Sequence, residues 1–259
     1  MTDPLPNGRL TIVGLGPGDP DWITPAAQRA LDEATDVVGY GPYVARLPDR
    51  PGRTKHASDN RVELDRSRRA LGLAAQGRRV AVVSGGDPGV FAMAAAVLEA
   101  LEAGEPGWRA LDVRVEPGIS AMLAAAARLG APLGGDFCVM SLSDNLKPWD
   151  IVEKRLRLAL EADLAICLYN PISKARPWQL GRAFEIVREV RAREHLILLA
   201  RAVGRPDERL TIRTVAEARA EEADMATLVI IGASTTRLIT RSGDAPPFVL
   251  TPRSYGAGA

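Results

Sequence analysis

The chain has 259 residues, 46% of them apolar and 25% charged, with 24 Gly, 19 Pro and a formal net charge of +1. These values belong to a soluble globular protein and exclude a disordered, collagen-like or membrane-embedded class. The balance of 33 basic against 32 acidic residues argues against a broad electrostatic surface, so neither nucleic acid nor a membrane is expected as a partner.

Short apolar runs alternate with helical patterns along the chain. Leu10-Thr-Ile-Val-Gly14 reads as a strand, and Thr24-Pro25 as an N-cap with proline at the first helical position, followed by Ala27, Ala30, Leu31 and Ala34 at helical spacing. Strands are expected over residues 36–39, 79–84 and 111–115, and helices over 62–76 and 90–103, the second closed by Gly104 as C-cap. After Pro117-Gly118 a helix runs to Leu129, with strands near 137–140, 164–169, 196–200 and 227–231 and helices over 148–160 and 177–193. Residues 211–213 read as an extra edge strand and 214–221 as a short helix. The rhythm predicts an α/β fold with mostly parallel sheet, in two α/β domains, 1–117 and 118–259, with a cleft between them as the natural ligand site.

Cys138 and Cys167, the only cysteines, lie in apolar runs and read as buried strand residues, too sparse for a disulfide framework. His56 and His195 have no neighbours at metal-ligand spacing, so no metal site is expected, and His195 reads as structural. The first residues lack a basic-then-apolar signal pattern, and no uncharged apolar stretch approaches about 18 residues. A cytoplasmic location is the expectation.

Two glycine-rich loops follow early strands: Gly14-Leu-Gly16-Pro17-Gly18-Asp19 and Gly85-Gly86-Asp87-Pro-Gly89. In open α/β sheets ligands bind beyond the carboxyl ends of strands, where glycine lets backbone approach closely; the alternative is a pair of tight strand-to-helix turns. The first loop departs from G-x-G-x-x-G, Pro17 removes a backbone donor, and the next strand ends Val37-Val38-Gly39-Tyr40 without the carboxylate a ribose requires. This counts against a nicotinamide oxidoreductase and against the common methyltransferase fold, and the absence of G-x-x-x-x-G-K-[ST] leaves NTP hydrolysis unsupported. Polar loops also follow later strands, at Ser141-Leu-Ser143-Asp144-Asn145, Tyr169-Asn170-Pro171 and Gly232-Ala233-Ser234-Thr235-Thr236, where caps and Asx-turns are the structural alternative.

Taken in order, these loops resemble those of the tetrapyrrole methylase family. The shared features are Val-Gly-Leu-Gly-Pro-Gly-Asp at 13–19, Thr24-Pro25, Ser84-Gly-Gly-Asp-Pro88 and Pro117-Gly-Ile-Ser-Ala121. Gly130-Ala-Pro-Leu133, Asp136-Phe137, Ser141-Leu-Ser-Asp144, Lys147-Pro-Trp149, Tyr169-Asn-Pro171 with Ser173-Lys174 and Arg176, and Thr251-Pro-Arg253 are similar to the branch that methylates C17 of precorrin-3B. The resemblance runs from Leu10 to Tyr255; Gly232-Ala-Ser, where the branch has Gly-Asn-Ser, and Ser254 in place of a glycine are departures.

The resemblance implies S-adenosylmethionine as methyl donor, with S-adenosylhomocysteine as product, in a two-domain class III methyltransferase fold that works as a homodimer. It implies that Gly85, Gly86, Asp87 and Val90 line the methionine part, with Ser120 and Ala121. Leu168, Tyr169 and Asn170 would flank the adenosine, with Val203, Gly232, Ala233 and Ser234 at its rim. The implied substrate, precorrin-3B, carries many carboxylates, for which arginine is the matching partner. Arg176 and Arg253 stand inside branch motifs, while Arg61, Arg66, Arg68 and Arg69 and then Arg201, Arg205, Arg209 and Arg213 form two basic clusters whose alternative is a solvated face. Gly16, Pro17, Gly18, Asp19, Tyr43, Ser143 and Lys174 complete the substrate candidates.

The implied reaction methylates C17 and contracts the ring, leaving C20 as an acetyl group. Contraction needs a base for the C20 hydroxyl proton, and Asp87, Asp144 and His56 are the candidates in that order. Cobalt-precorrin-3B, or another ring carbon, is the alternative within the family. A nucleotide-binding oxidoreductase and a noncatalytic tetrapyrrole carrier are the alternatives outside it, the latter predicting no affinity for S-adenosylhomocysteine.

Overall fold

The computed structural model describes residues 8–60 and 62–254. The chain divides into two compact units between Ala121 and Met122, just past Pro117-Gly118.

The first unit runs β1 (Arg9–Gly14), α1 (Pro25–Glu33), β2 (Asp36–Tyr40), α2 (Gly41–Val44), β3 (Thr54–Ser58), α3 (Glu63–Ala75), β4 (Arg79–Ser84), α4 (Met93–Ala103) and β5 (Asp112–Glu116). Its sheet has the order β3-β2-β4-β1-β5, with every pair parallel. Both faces of its central strands are buried, which explains why they read as continuous apolar runs. Leu10, Ile12, Val38, Val80 and Val82 face Ala70, Leu71, Met93, Val97 and Trp108, while Val13, Val37, Ala81 and Val83 face Ala27 and Leu31. Each fully buried aliphatic side chain contributes about 2 kcal/mol. Thr24 caps α1 as expected, its hydroxyl accepting from Ala27 N at 3.1 Å, with Pro25 next. Gly104 does end α4, but with φ −93° it is no left-handed cap; a Cβ there would lie 2.4 Å from the Trp108 ring.

The second unit contains α5 (Ala121–Leu129), β6 (Gly130–Ala131), β7 (Phe137–Ser141), α6 (Trp149–Glu161), β8 (Ala165–Tyr169), α7 (Gln179–Val190), β9 (Leu196–Arg201), β10 (Arg209–Thr214), β11 (Thr227–Ile231), β12 (Arg237–Ile239) and β13 (Phe248–Leu250). The main sheet is ordered β10-β9-β11-β8-β7, and here the expectation of mostly parallel pairing is corrected: only β7 and β8 pair in parallel. No crossover helix separates β9, β10 and β11, and strands joined by short connections pair antiparallel. The expected edge strand is longer than 211–213, and 214–221 is not a helix but a turn leading into one 3-10 turn at Ala220–Glu222. β12, β13 and β6 form a separate small sheet. The core of this unit packs α6 and α7, through Leu156, Leu160, Leu180 and Phe184, on Ile166, Leu168, Ile197, Leu199, Val229 and Ile231. Cys167 is buried and Cys138 half-buried, both free thiols; burial pushes the Cys167 thiol up to about 12.

Candidate functional site

The carboxyl ends of β1, β4 and β5 bring three backbone segments into direct contact. Gly16 and Gly86, both at positive φ (65° and 71°), exchange N–H to O=C bonds of 3.2 and 2.9 Å. Gly118 lies so close that an added Cβ would stand 2.3 Å from the Gly86 carbonyl oxygen and 2.9 Å from the Gly14 Cα. Asp87 ties the junction: Oδ1 accepts from Gly89 N at 2.8 Å and Oδ2 from Gly118 N at 3.0 Å. Asp19 likewise serves its own loop, accepting from Asp21 N at 3.0 Å. Arg46, which sequence reasoning missed, braces the segment that includes Pro17 by donating to the carbonyls of Leu15, Gly16 and Gly18 at 2.8, 3.0 and 3.2 Å. Ser84 Oγ accepts from Met93 N at 3.2 Å and so satisfies an amide at the start of α4, where no side chain of the N-cap residue does.

Much of the glycine pattern is therefore consumed by loop-on-loop packing, yet a cradle remains. A Cβ on Gly86 would stand 3.9 Å from Ala121 N, Ile119 O and Ser120 Cα, so the space above Gly86 is backbone-lined and only the missing side chain keeps it open. Tyr43 covers Gly85, whose added Cβ would meet the phenol ring at 2.7 Å, and Tyr43 stands edge-on to Tyr40 at 5.5 Å. Val90 and Phe91 follow on the same loop, Phe91 exposed and at φ 52°.

A second constellation forms at the carboxyl ends of β7 and β8. Asn170 takes a left-handed conformation (φ 52°), tolerated by a short polar side chain, and donates from Nδ2 to Ser141 Oγ at 3.0 Å. Ser143 N donates to the same hydroxyl at 3.2 Å, and the Tyr169 hydroxyl accepts from Met122 N at 3.0 Å, capping α5. Asp144 Oδ2 accepts from Gln179 Nε2 at 3.1 Å. Lys147 is close by; burial, then Arg155, destabilise its ammonium while Asp144 favours it, and the net effect is a lowered pKa. Because β9 and β11 pair antiparallel, the carboxyl end of β9 and the amino end of β11 arrive at the same edge of the sheet. They bring Ala202, Val203 and the Met225-Ala226 turn, with Ala202 N donating to Ala226 O at 2.9 Å.

Several expected members lie elsewhere. Gly232, Ala233 and Ser234 follow β11, which runs against β8, so they sit at the opposite end of the sheet from Tyr169 and Asn170. There Ser234 binds Asp163, ahead of β8, through its amide and its hydroxyl, at 2.8 and 2.5 Å. His56 is on β3 with its ring toward the amino ends of β2 and β4. Nδ1 accepts from Arg69 at 2.8 Å, so Nε2–H donates to Asp36 at 2.7 Å, and both nitrogens are engaged. Arg176 is buried; it donates to the Asn170 carbonyl at 2.9 Å and holds that turn. Lys174 stands exposed at the tip of the Ser173–Arg176 turn. Arg253 is exposed beyond Thr251 and Pro252, which pack on Gly134 and Gly135 ahead of β7.

In the two basic clusters three arginines are paired with acids. Arg68 pairs with Asp65, Arg201 with Asp207 and Asp224, and Arg213 with Glu222. Arg66 is buried against Ser58 Oγ and the Asp59 carbonyl, and Arg61 and Tyr255 lie outside the described residues. Among the described residues no helix is long and apolar enough to cross a membrane.

Comparison with known proteins places this arrangement. The profile of the tetrapyrrole (corrin/porphyrin) methylases matches residues 9–219. The chain belongs to that family. Within the family it is 55% identical, over 97% of its length and 98% of the other's, to a protein from Sinorhizobium named precorrin-3B C(17)-methyltransferase. It is 37% identical, over 95% of its length and 99% of the other's, to a Salmonella typhimurium protein named probable cobalt-factor III C(17)-methyltransferase. The crystal structure of the methyltransferase CobJ superposes with a TM-score of 0.90 at 55% identity, covering 95% of this chain and all of that one. The sequence alone does not single out Arg46, Gln179, Met225 or Ala226. Only the pairing of strands reveals the last two, and Arg46, separated from its loop by α1, β2 and α2, carries no local signal.

Proposed function

We propose that this chain is an S-adenosylmethionine-dependent C-methyltransferase that methylates C17 of precorrin-3B and contracts the macrocycle to precorrin-4 in cobalamin biosynthesis. The observation that carries this reading is the 55% identity, spanning 97% of this chain, to the protein named for that reaction. The lower figure of 37%, to the protein named for a cobalt-containing substrate, favours the cobalt-free macrocycle. The reading further takes the protein as a cytoplasmic homodimer acting on small molecules.

The small-residue cradle over Gly86 suits the methionine part of the donor, with Gly85, Asp87, Val90, Ser120 and Ala121 around it. Leu168 is fully buried, so it would offer only backbone to the adenosine part, beside Tyr169, Asn170 and Val203. Gly232, Ala233 and Ser234 leave this set because of their place at the other sheet end. When bound, the donor supplies an electrophilic methyl group. The protein's contribution is to align a carbon nucleophile with it and to exclude water, which requires rigid loops more than a reactive side chain. Asp87, with both oxygens on backbone amides, keeps the glycine junction in register. Ring contraction needs a base for the C20 hydroxyl, and Asp144 is assigned that role, since Asp87 and His56 are bound on both sides.

The test is incubation of the protein with precorrin-3B and S-adenosylmethionine labelled at its methyl carbon, followed by carbon NMR and mass of the product. Label on a quaternary C17, with a new acetyl group, is expected. Label on another carbon overturns the branch, turnover of the cobalt complex alone moves the protein to the cobalt-dependent route, and no binding of S-adenosylhomocysteine overturns the methyltransferase reading.

A further inference from the structure

The three base candidates differ in what their polar atoms already do. Asp87 has a backbone amide on each oxygen, and His56 has Arg69 and Asp36 on its two nitrogens. Asp144 has one oxygen held and one open: Oδ2 accepts from Gln179, and no described residue donates to Oδ1. A base oriented by a third group while its reactive atom stays free is the arrangement that proton abstraction requires.

Gln179 is an odd residue for its place. It opens α7 and is 2% exposed, next to Leu180, Ala183 and Phe184 of the apolar core. Its Oε1 has no hydrogen-bond partner, an expensive state for a buried amide that a leucine or methionine would avoid. A position that would be more stable without its polar group keeps that group for what the other half of the amide does, and here that is the bond to Asp144. A second contact fastens the same loop to the start of α7: Trp149, at the beginning of α6, stands edge-on to Trp178 with ring centroids 4.8 Å apart. The loop from Ser141 to Trp149 is thus clamped at two points, and Asp144 is the half-buried carboxylate within it.

We infer that Gln179 is a positioning residue for ring contraction, its buried amide holding Asp144 so that the free carboxylate oxygen meets the substrate hydroxyl. The inference rests on the methyltransferase reading above. In the step it serves, the C20 O–H bond breaks, the proton bonds to Asp144 Oδ1, and the electron pair left on oxygen forms the acetyl C=O as one of the two ring bonds of C20 breaks; the pair of that bond forms the direct bond between the two ring carbons that C20 had joined, and the displaced π pair of the attacked carbon passes to its ring nitrogen.

The experiment compares the unaltered protein with Q179M, D144N and the double variant, using precorrin-3B and labelled S-adenosylmethionine. Readouts are kcat and KM, the fraction of methylated product that is contracted, and the unfolding midpoint. Q179M conserves volume and removes the orphaned oxygen, so its midpoint is expected to hold or rise. Its kcat for contraction is expected to fall about 10- to 100-fold, with KM within about twofold, and methylated but uncontracted product to accumulate. D144N is expected to lose contraction about 100-fold or more, and Q179M to add nothing in that background. Contraction at the normal rate in D144N overturns the inference. A lower midpoint in Q179M with methylation and contraction falling together reassigns Gln179 to packing, and additive losses in the double variant also overturn it. If the unaltered protein transfers no label at all, the reading and the inference fall together; label transfer with these variants behaving normally removes the inference alone.

Discussion

Gly118 has room for a hydrogen and for nothing larger. An alanine there would place Cβ 2.3 Å from the Gly86 carbonyl oxygen, and both groups belong to backbone, which yields far less easily than a long side chain. Gly118→Ala is expected to destabilise the protein by about 3 kcal/mol and to weaken S-adenosylhomocysteine binding at least tenfold, as read by urea unfolding and calorimetry. Unchanged affinity would mean that the three-loop junction does not shape the donor site. Asp36 supports a prediction of a different kind. Burial raises its pKa, but hydrogen bonds from His56, Arg78 and Thr35 outweigh that and hold it below its ordinary 3.8. Its stabilisation is therefore complete above pH 3.8 and is lost as pH falls through the lower native value. Asp36→Asn is expected to lower stability by about 2 kcal/mol at pH 7 and to flatten the acid limb of a series of unfolding midpoints taken from pH 7 to 3. Parallel curves for the two proteins would show that another carboxylate governs that limb.

At the scale of elements, the first unit was legible apart from β3 and α2, and the second only in part. The run Arg79–Ser84 reads as a central parallel strand because both of its faces are buried, and that is where β4 lies. β11 reads the same way from its composition, all five residues being buried, but composition carries no direction. Direction comes from connections, and between β9 and β11 there is a hairpin and a turn where the first unit has crossover helices. The loop after β11 was therefore expected beside Tyr169 and lies at the far end, and the Met225-Ala226 turn arrives there in its place. β12 escaped notice for another reason, since all three of its residues are exposed and show no alternation. Asp163 tests the revised placement. It holds Ser234 and the buried Arg191, so Asp163→Ala is expected to lower the unfolding midpoint by several degrees. S-adenosylhomocysteine affinity is expected to stay within about twofold, and a tenfold loss would return the Gly232 loop to the donor site.

For the whole molecule, the question is how a chain of net charge +1 attracts a substrate bearing many carboxylates. Long-range steering needs a field of one sign, and here 33 basic residues face 32 acidic ones. The pairing is also local: Arg182 reaches Glu153 and Glu185, Arg157 reaches Glu153 and Glu189, and Arg201 and Arg213 of the basic hairpin each meet an acid. Recognition of the carboxylates is therefore expected at short range, from donors that act only once the macrocycle is seated. Such contacts lie well inside the Debye length of about 8 Å at physiological salt and are screened little when partly buried. kcat/KM for precorrin-3B is accordingly expected to fall by less than about threefold between 50 and 300 mM salt, where a steered encounter would lose ten- to a hundredfold. A steep salt dependence, measured at fixed pH with saturating S-adenosylmethionine, would show that an arginine cluster acts as a collecting surface, and would direct alanine substitutions first to Arg205 and Arg209 on the rim of the β9–β10 hairpin.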